Sequence, residues 1–173
     1  AEAGALVDSA AFAGHSLGEY TALSAYGRVM PVETTISIVF QRGSTMHSLV
    51  PRDADGASNY RMGALRPNQA GIKADEVEAY VRSISEATGE FLQIVNHNLA
   101  GVQYAVAGTI KGLDALAADA RAKAKARGGK NPFMFVPGID VPFHSEVLRP
   151  GVPEFRGRLL ELVPEDLDVA RLV

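Results

Sequence analysis

The sequence predicts an α/β fold whose body starts near the N-terminus, is interrupted, and then resumes. Three observations carry that prediction. A short apolar run closes on Gly14 and gives way at Leu17 to a helix-forming stretch. Between residues 60 and 136 strand-like and helical periodicities follow one another in the order β-α-β-β-α-β, which is the split unit of ferredoxin-like folds. The body then resumes around Val141-Pro142-Phe143. The expected boundaries are therefore 1–59 for the first part of the body, 60–136 for the insert and 137–173 for the remainder.

Taken in order, Ala10-Ala11-Phe12-Ala13 is expected to be a short buried strand ended by Gly14. Leu17 to Ala25 suits a helix, with Gly27 placed for a left-handed cap. Pro31 fits the first turn of a second helix, and Glu33 lies beside its positive end. Ile36, Val39, Phe40, Gly43, His47 and Val50 recur at helical spacing and are expected to form its buried face. Pro51 to Gly56 is turn chemistry. In the insert, Tyr60 to Leu65 reads as a strand and Lys73 to Ala87 as a helix closed by Gly89. Phe91 to Val95 and Val102 to Ala107 read as strands joined across Asn96–Gly101. Leu113 to Arg127 is an alanine-rich helix stopped by Gly128-Gly129, and Phe133 to Val136 is the last strand. The basic run from Lys123 to Lys130 reads as a solvated helix end.

Composition narrows the chemistry. The chain has 173 residues, 47% of them hydrophobic and 21% charged, which fits a globular protein rather than a disordered or fibrous one. A net charge of −3 gives no reason to expect nucleic acid or an anionic membrane as partner. With no cysteine, a nucleophile must be an oxygen or nitrogen group, and thiolate metal sites are excluded. No apolar run reaches the ~18 residues of a membrane span. The start carries Glu2 and Asp8 rather than basic residues, so a cytoplasmic location is expected. The chain opens without methionine and stops in the apolar run Val169–Val173, which reads as a piece of something longer.

Gly14-His15-Ser16-Leu17-Gly18 matches the nucleophile elbow G-x-S-x-G and lies between a strand-like run and a helix. A tight strand-to-helix turn brings backbones together and asks for both glycines. It also places Ser16 over a helix N-terminus, with the backbone N–H of Leu17 as the natural oxyanion donor. The same residues fit a capping box, with Ser16 as N-cap and Glu19 reaching back. A serine nucleophile needs a base, and His15, His47, His97 and His144 are the histidines available. His15 diverges from its neighbour, His47 falls on the apolar helix face, and His97 lies in the turn of the insert. His144, where the body resumes, is the preferred candidate. Arg42 sits at the edge of the buried helix face between Val39 and Met46. It could clamp a carboxylate through two parallel bonds or pair with a surface acid.

Together these residues resemble the malonyl-CoA:acyl-carrier-protein transacylase family. The resemblance rests on Gly14-His15-Ser16-Leu17-Gly18-Glu19, Gln41-Arg42-Gly43-x-x-Met46, Asn96-x-Asn98 and Phe143-His144-Ser145. Longer strings are similar to the malonyl/palmitoyl transferase domain of type I fatty acid synthases: Val50-Pro51-Arg52-Asp53, Ser58-Asn59-Tyr60, Gly138 through Ser145, and Leu148-Arg149-x-Gly151-Val152. The short linker before Phe133 looks more like the bacterial, mycobacterial-type synthases than the fungal ones.

The resemblance implies a partial α/β-hydrolase-like acyltransferase body carrying the ferredoxin-like insert. It implies that Ser16 takes an acyl group from coenzyme A as an ester and passes it to the phosphopantetheine thiol of an acyl carrier protein. His144 is the implied base, and Arg42 holds the malonyl carboxylate but swings aside for an uncharged chain. Phe143 and Met46 line the acyl pocket, and Asn98 supports the site near His144. No covalently bound cofactor and no metal is implied; malonyl-CoA, acyl-CoA, the carrier domain and other synthase domains are the implied partners. Asp140 is read as a turn residue rather than a triad acid. The family's glutamine-bearing loop and the carbonyl that orients the histidine are expected outside these residues, so the isolated chain is expected to be weakly active or inactive. Two other readings remain: a serine hydrolase or thioesterase on the same elbow, and an inactive fragment serving as a docking module.

Overall fold

The computed structural model describes residues 11–25 and 29–163. They fall in two compact units, one drawn from residues up to Thr45 and from Val152 onward, the other spanning Met46–Gly151.

The first unit is helical. It contains α1 (Leu17–Ala25), most of α2 (Val32–Ser48) and α6 (Val152–Leu162). Its core gathers Val29, Met30 and Ile38, against which Tyr20 and Leu23 of α1 and Phe155, Leu159 and Leu162 of α6 pack. The α1 limits agree with the sequence pattern. The expected strand before the elbow does not form in residues 11–14, and Ala10 and the expected cap Gly27 lie outside the described residues.

The face of α2 also differs from expectation. Thr35, Ile38 and Thr45 are the buried residues, whereas Ile36 and Phe40 are 63% and 68% exposed, and Gly43 and His47 are exposed as well. Ile38 lies almost opposite Ile36, about 160° round a helix of 3.6 residues per turn. Periodicity identifies stripes but not which one finds a partner. Ile38 lies on the stripe that meets α1 and α6.

The second unit is built on an antiparallel sheet. Its strands are β1 (Tyr60–Leu65), β2 (Leu92–Leu99), β3 (Gln103–Thr109) and β4 (Phe133–Phe135), in the order β2-β3-β1-β4. The first three elements between β1 and β2 are a short α3 (Pro67–Ala70), a turn, and α4 (Val77–Thr88); α5 (Ile110–Lys125) joins β3 to β4. Both long helices lay an apolar face on the sheet, so that Val77, Val81, Leu65, Val106, Leu113, Leu116 and Phe133 form one core. Thr109 caps α5, its hydroxyl accepting from the N–H of Gly112 at 3.2 Å. Gly63 is required where Phe133 crosses β1, because a Cβ there would overlap the phenyl ring.

Several expected bounds change in this unit: α5 begins at Ile110 rather than Leu113, and β3 runs over Gln103–Thr109 rather than Val102–Ala107. The helix after β1 starts at Val77 rather than Lys73, because Pro67 opens a separate short turn first and Glu76 accepts from the N–H of Lys73. The β2–β3 hairpin is longer than expected: β2 runs through Asn96, His97 and Asn98 to Leu99, with register breaks between Ile94 and Asn96 and between His97 and Leu99. Ladder bonds to β3 hold these poor strand formers extended, and pairing overrides local preference. Among the described residues no helix is long and apolar enough to cross a membrane.

Candidate functional site

The elbow is built by one glycine and one strained serine. Ser16 has φ of 54°, in the left-handed region that non-glycine residues seldom occupy. An ordinary N-cap is extended, whereas a nucleophile elbow projects its serine from a sharp strained turn. The turn closes with the N–H of Gly18 donating to the His15 carbonyl at 3.0 Å and that of Glu19 to the Ser16 carbonyl at 3.2 Å. A Cβ at Gly14 would collide with the Gly18 carbonyl and the Glu19 nitrogen, while one at Gly18 would meet nothing within 4 Å. The pattern asks for both glycines, but only Gly14 is sterically compelled. Leu17 is the first residue of α1, and the first N–H groups of a helix have no acceptor within it.

Arg42 comes from α2 in the same unit. Its Nη2 donates to Ser16 Oγ at 2.9 Å, and its guanidinium carbon lies 5.9 Å from the centre of the Tyr20 ring. Ser16 and Arg42 are both partly buried. Of the two readings of Arg42, the contact observed among the described residues is with the serine hydroxyl. A guanidinium on the serine hydroxyl favours negative charge at or next to that oxygen, and its remaining donors have the fork geometry that a carboxylate matches.

The other candidates belong to the sheet unit. Met46 lies in the last turn of α2 and is partly buried. Asn98 is exposed near the end of β2, on the strand rather than in the turn where the pattern put it. Phe143 is partly buried and His144 exposed. His144 has φ of 62°, so both residues expected to carry the chemistry sit in left-handed backbone. The two other histidines outside the elbow are accounted for differently than expected. His47 is exposed rather than in a core. His97 lies edge-on to Tyr104, with Nε2 3.7 Å from Glu78 Oε1.

The loop carrying His144 is tightly tied. Val141, Pro142 and Ser145 are buried. The N–H of Phe143 donates to the Val141 carbonyl at 2.9 Å, and the Ser145 hydroxyl to the Pro142 carbonyl at 2.6 Å. Asp140 is more than the turn residue expected of it. Its Oδ2 accepts from Arg52 Nη1 at 2.5 Å across 88 positions of sequence. That bond, aided by the charges of Arg52, Arg61 and His47, holds the Asp140 carboxyl below the usual carboxylate range against the opposing effect of burial. Sequence spacing offered no signal for this pair. Among the described residues no cluster of three or more His, Asp or Glu could hold a metal.

A family model described as the acyl transferase domain matches residues 2–126, which include Ser16, Arg42, Met46 and Asn98. The chain belongs to that family. This acyl transferase domain is 36% identical to a fatty acid synthase beta subunit of Cochliobolus carbonum, over 94% of the chain and 9% of the relative. It is 33% identical to the fatty acid synthase subunit beta of Saccharomyces cerevisiae, over 98% and 10%. Among solved structures, the malonyl CoA-acyl carrier protein transacylase of Coxiella burnetii is 26% identical with a TM-score of 0.64, covering 86% of this chain and 41% of that one. A malonyl-transacylase in complex with a type II PKS acyl-carrier protein has a TM-score of 0.69 at 26% identity, over 94% and 46%. The mixed α/β architecture is thus that of acyltransferases, and the domain spans about a tenth of these curated relatives and under half of these solved chains.

Proposed function

We propose that this acyl transferase domain moves malonyl and long-chain acyl groups between coenzyme A and the phosphopantetheine of an acyl carrier protein within a type I fatty acid synthase. The observation that carries the proposal is the Arg42 guanidinium bonded to the hydroxyl of Ser16 in its strained turn. A cation at the nucleophile suits an acyl group that itself carries a carboxylate, as malonyl does, and has no role for a neutral ester. The resemblance of the sequence and of the curated relatives to synthase subunits supports the wider context.

In this scheme Ser16 Oγ attacks the thioester carbonyl as its proton passes to His144. The tetrahedral oxyanion is stabilised by the N–H of Leu17, and the coenzyme A sulfur leaves with the proton from His144. The carrier thiol then gives its proton to His144 as its sulfur attacks the ester, and the serine oxygen takes the proton back on leaving. Arg42 binds the free carboxylate of malonyl and moves aside for palmitoyl. Met46 and Phe143 shape the acyl pocket, and Asn98 supports the histidine. The reaction consumes no cofactor beyond the two thiol carriers, and the setting is cytoplasmic, with other synthase domains as neighbours and neither nucleic acid nor membrane as partner.

The antiparallel order β2-β3-β1-β4, with a helix in each of the two crossovers, supports reading residues 60–136 as a ferredoxin-like insert in a body formed by 1–59 and 137–173. The short linker before Phe133 supports a bacterial single-chain synthase. Arg42→Ala in the protein that carries this domain tests the central reading. Malonyl transfer is expected to fall by about 10²–10³-fold, the scale of removing one preorganised donor, while transfer of an uncharged acyl group is retained. Equal loss of both removes the selective role. Release of free malonate instead of malonyl-carrier product would favour a hydrolase.

A further inference from the structure

We propose that Arg52 and Asp140 form a positioning pair that fixes the loop bearing His144, so that the histidine is held in place from a residue 92 positions away by an ion pair rather than by its own contacts alone. The inference rests on the reading of His144 as the base. Asp140 lies four residues before His144 and begins the segment whose backbone must reach the left-handed conformation at His144. Downstream of His144 that segment is pinned by buried Ser145 and by the N–H of Glu146 donating to Gln93 Oε1 at 2.9 Å. Upstream, the buried Val141-Pro142 pair resists withdrawal but does not fix direction, because apolar burial is non-directional. The Arg52–Asp140 bond supplies the missing directional anchor.

Arg52 is itself rigidly mounted. It pairs in an isolated bridge with Ser58 at the base of a tight turn. In that turn Asp53 Oδ1 accepts from the N–H groups of Asp55 and Ala57, and Gly56 has φ of 76°. The same Nη1 that meets Asp140 also donates to the Gly56 carbonyl at 2.8 Å. The arginine's Nε and Nη2 are buried without a hydrogen-bond partner among the described residues. The pair is only partly buried, its side chains 16% and 39% exposed, and ion pairs in contact with water contribute little stability. What the pair provides is a fixed direction for the loop, and a base displaced by about 1 Å loses on the order of 10² in rate.

The test uses the full-length protein carrying this domain, with Arg52→Met/Asp140→Asn, Arg52→Lys and His144→Ala. In the double variant kcat for malonyl transfer is expected to drop about 10²-fold at a KM for malonyl-CoA within about twofold of the parent. Its thermal unfolding midpoint should stay unchanged or rise, and Arg52→Lys, which keeps the charge, should recover part of kcat. A double variant with parental kcat overturns the proposal, as does a kcat loss that merely follows the loss of folded protein. Failure of Arg52→Lys to recover any rate overturns the ion pair as the cause. His144→Ala separates the two levels. If it keeps parental turnover, the base assignment falls and the pair's role falls with it. If it is inactive while the double variant is normal, only the positioning role falls.

Discussion

In the sheet unit eleven buried residues pack as one cluster around Leu65, Val106, Leu113 and Leu116, each of these with no measurable exposure. In the helical unit three buried residues, Val29, Met30 and Ile38, do the same work among the described residues. There Val32, Ile36 and Phe40 stay 57–68% exposed along α2. Yet the helical unit holds the strained Ser16 and its Arg42. Close packing secures a fold and is indifferent to chemistry, whereas a nucleophile of the kind proposed for Ser16 needs a partly open surface and a sterically special turn. In the sheet unit the proposed base, His144, lies in an irregular loop, whereas the candidates Asn98 and Met46 lie on β2 and α2.

Three substitutions sharpen this contrast. The largest stability effect is expected from Leu116→Ala in the sheet core, about 2–5 kcal/mol from lost transfer energy plus the cavity left behind. Faster hydrogen exchange of the Tyr104 and Val106 amides would report it, with activity per folded molecule preserved. Loss of turnover without faster exchange would break the division between packing and chemistry. A smaller effect of opposite sign is expected in the helical unit. Thr35 is buried with its hydroxyl unpartnered among the described residues. Thr35→Val, which replaces that hydroxyl with a methyl, should stabilise by about 1 kcal/mol, read as a higher denaturant midpoint. A lower midpoint would show that the hydroxyl has a partner.

The smallest effect concerns Glu90, which accepts from the Thr109 hydroxyl at 2.7 Å and lies 3.2 Å from Lys111 Nζ. The Thr109 hydrogen bond, then Lys111, holds its carboxyl below the usual range. A depressed folded-state value means the contribution is present above the unfolded-state value and is lost as pH falls through the folded-state one. The difference in unfolding midpoint between the parent and Glu90→Gln should therefore be visible near neutrality and vanish in acid. A difference that grows on acidification contradicts the assignment.

Local signals were readable where local chemistry decides. The limits of α1 agree with the sequence pattern, and α5 ends near Gly128-Gly129, although its start at Ile110 behind the Thr109 cap lies three residues before the expected Leu113. The bounds of β1 were readable at Tyr60–Leu65, although its burial does not alternate and its two antiparallel partners were not indicated. What was hidden depends on partners distant in the chain. Asn96 to Asn98 become strand only through their ladder to β3. The buried side of α2 is set by α1 and α6 meeting Ile38, not by the face that Ile36 and Phe40 suggested. At the site, Ser16 and Arg42 were both legible as candidates, from the turn motif and the helical wheel. Their mutual contact across 26 residues was not, and neither was the Arg52–Asp140 bond.

The most direct test is to mix the full-length protein with malonyl-CoA, quench, digest, and weigh the peptide containing Ser16. The account predicts a malonyl adduct localised to Ser16, lost in Ser16→Ala and discharged on adding an acyl carrier protein. An adduct that persists in Ser16→Ala, or sits on another residue, would contradict it.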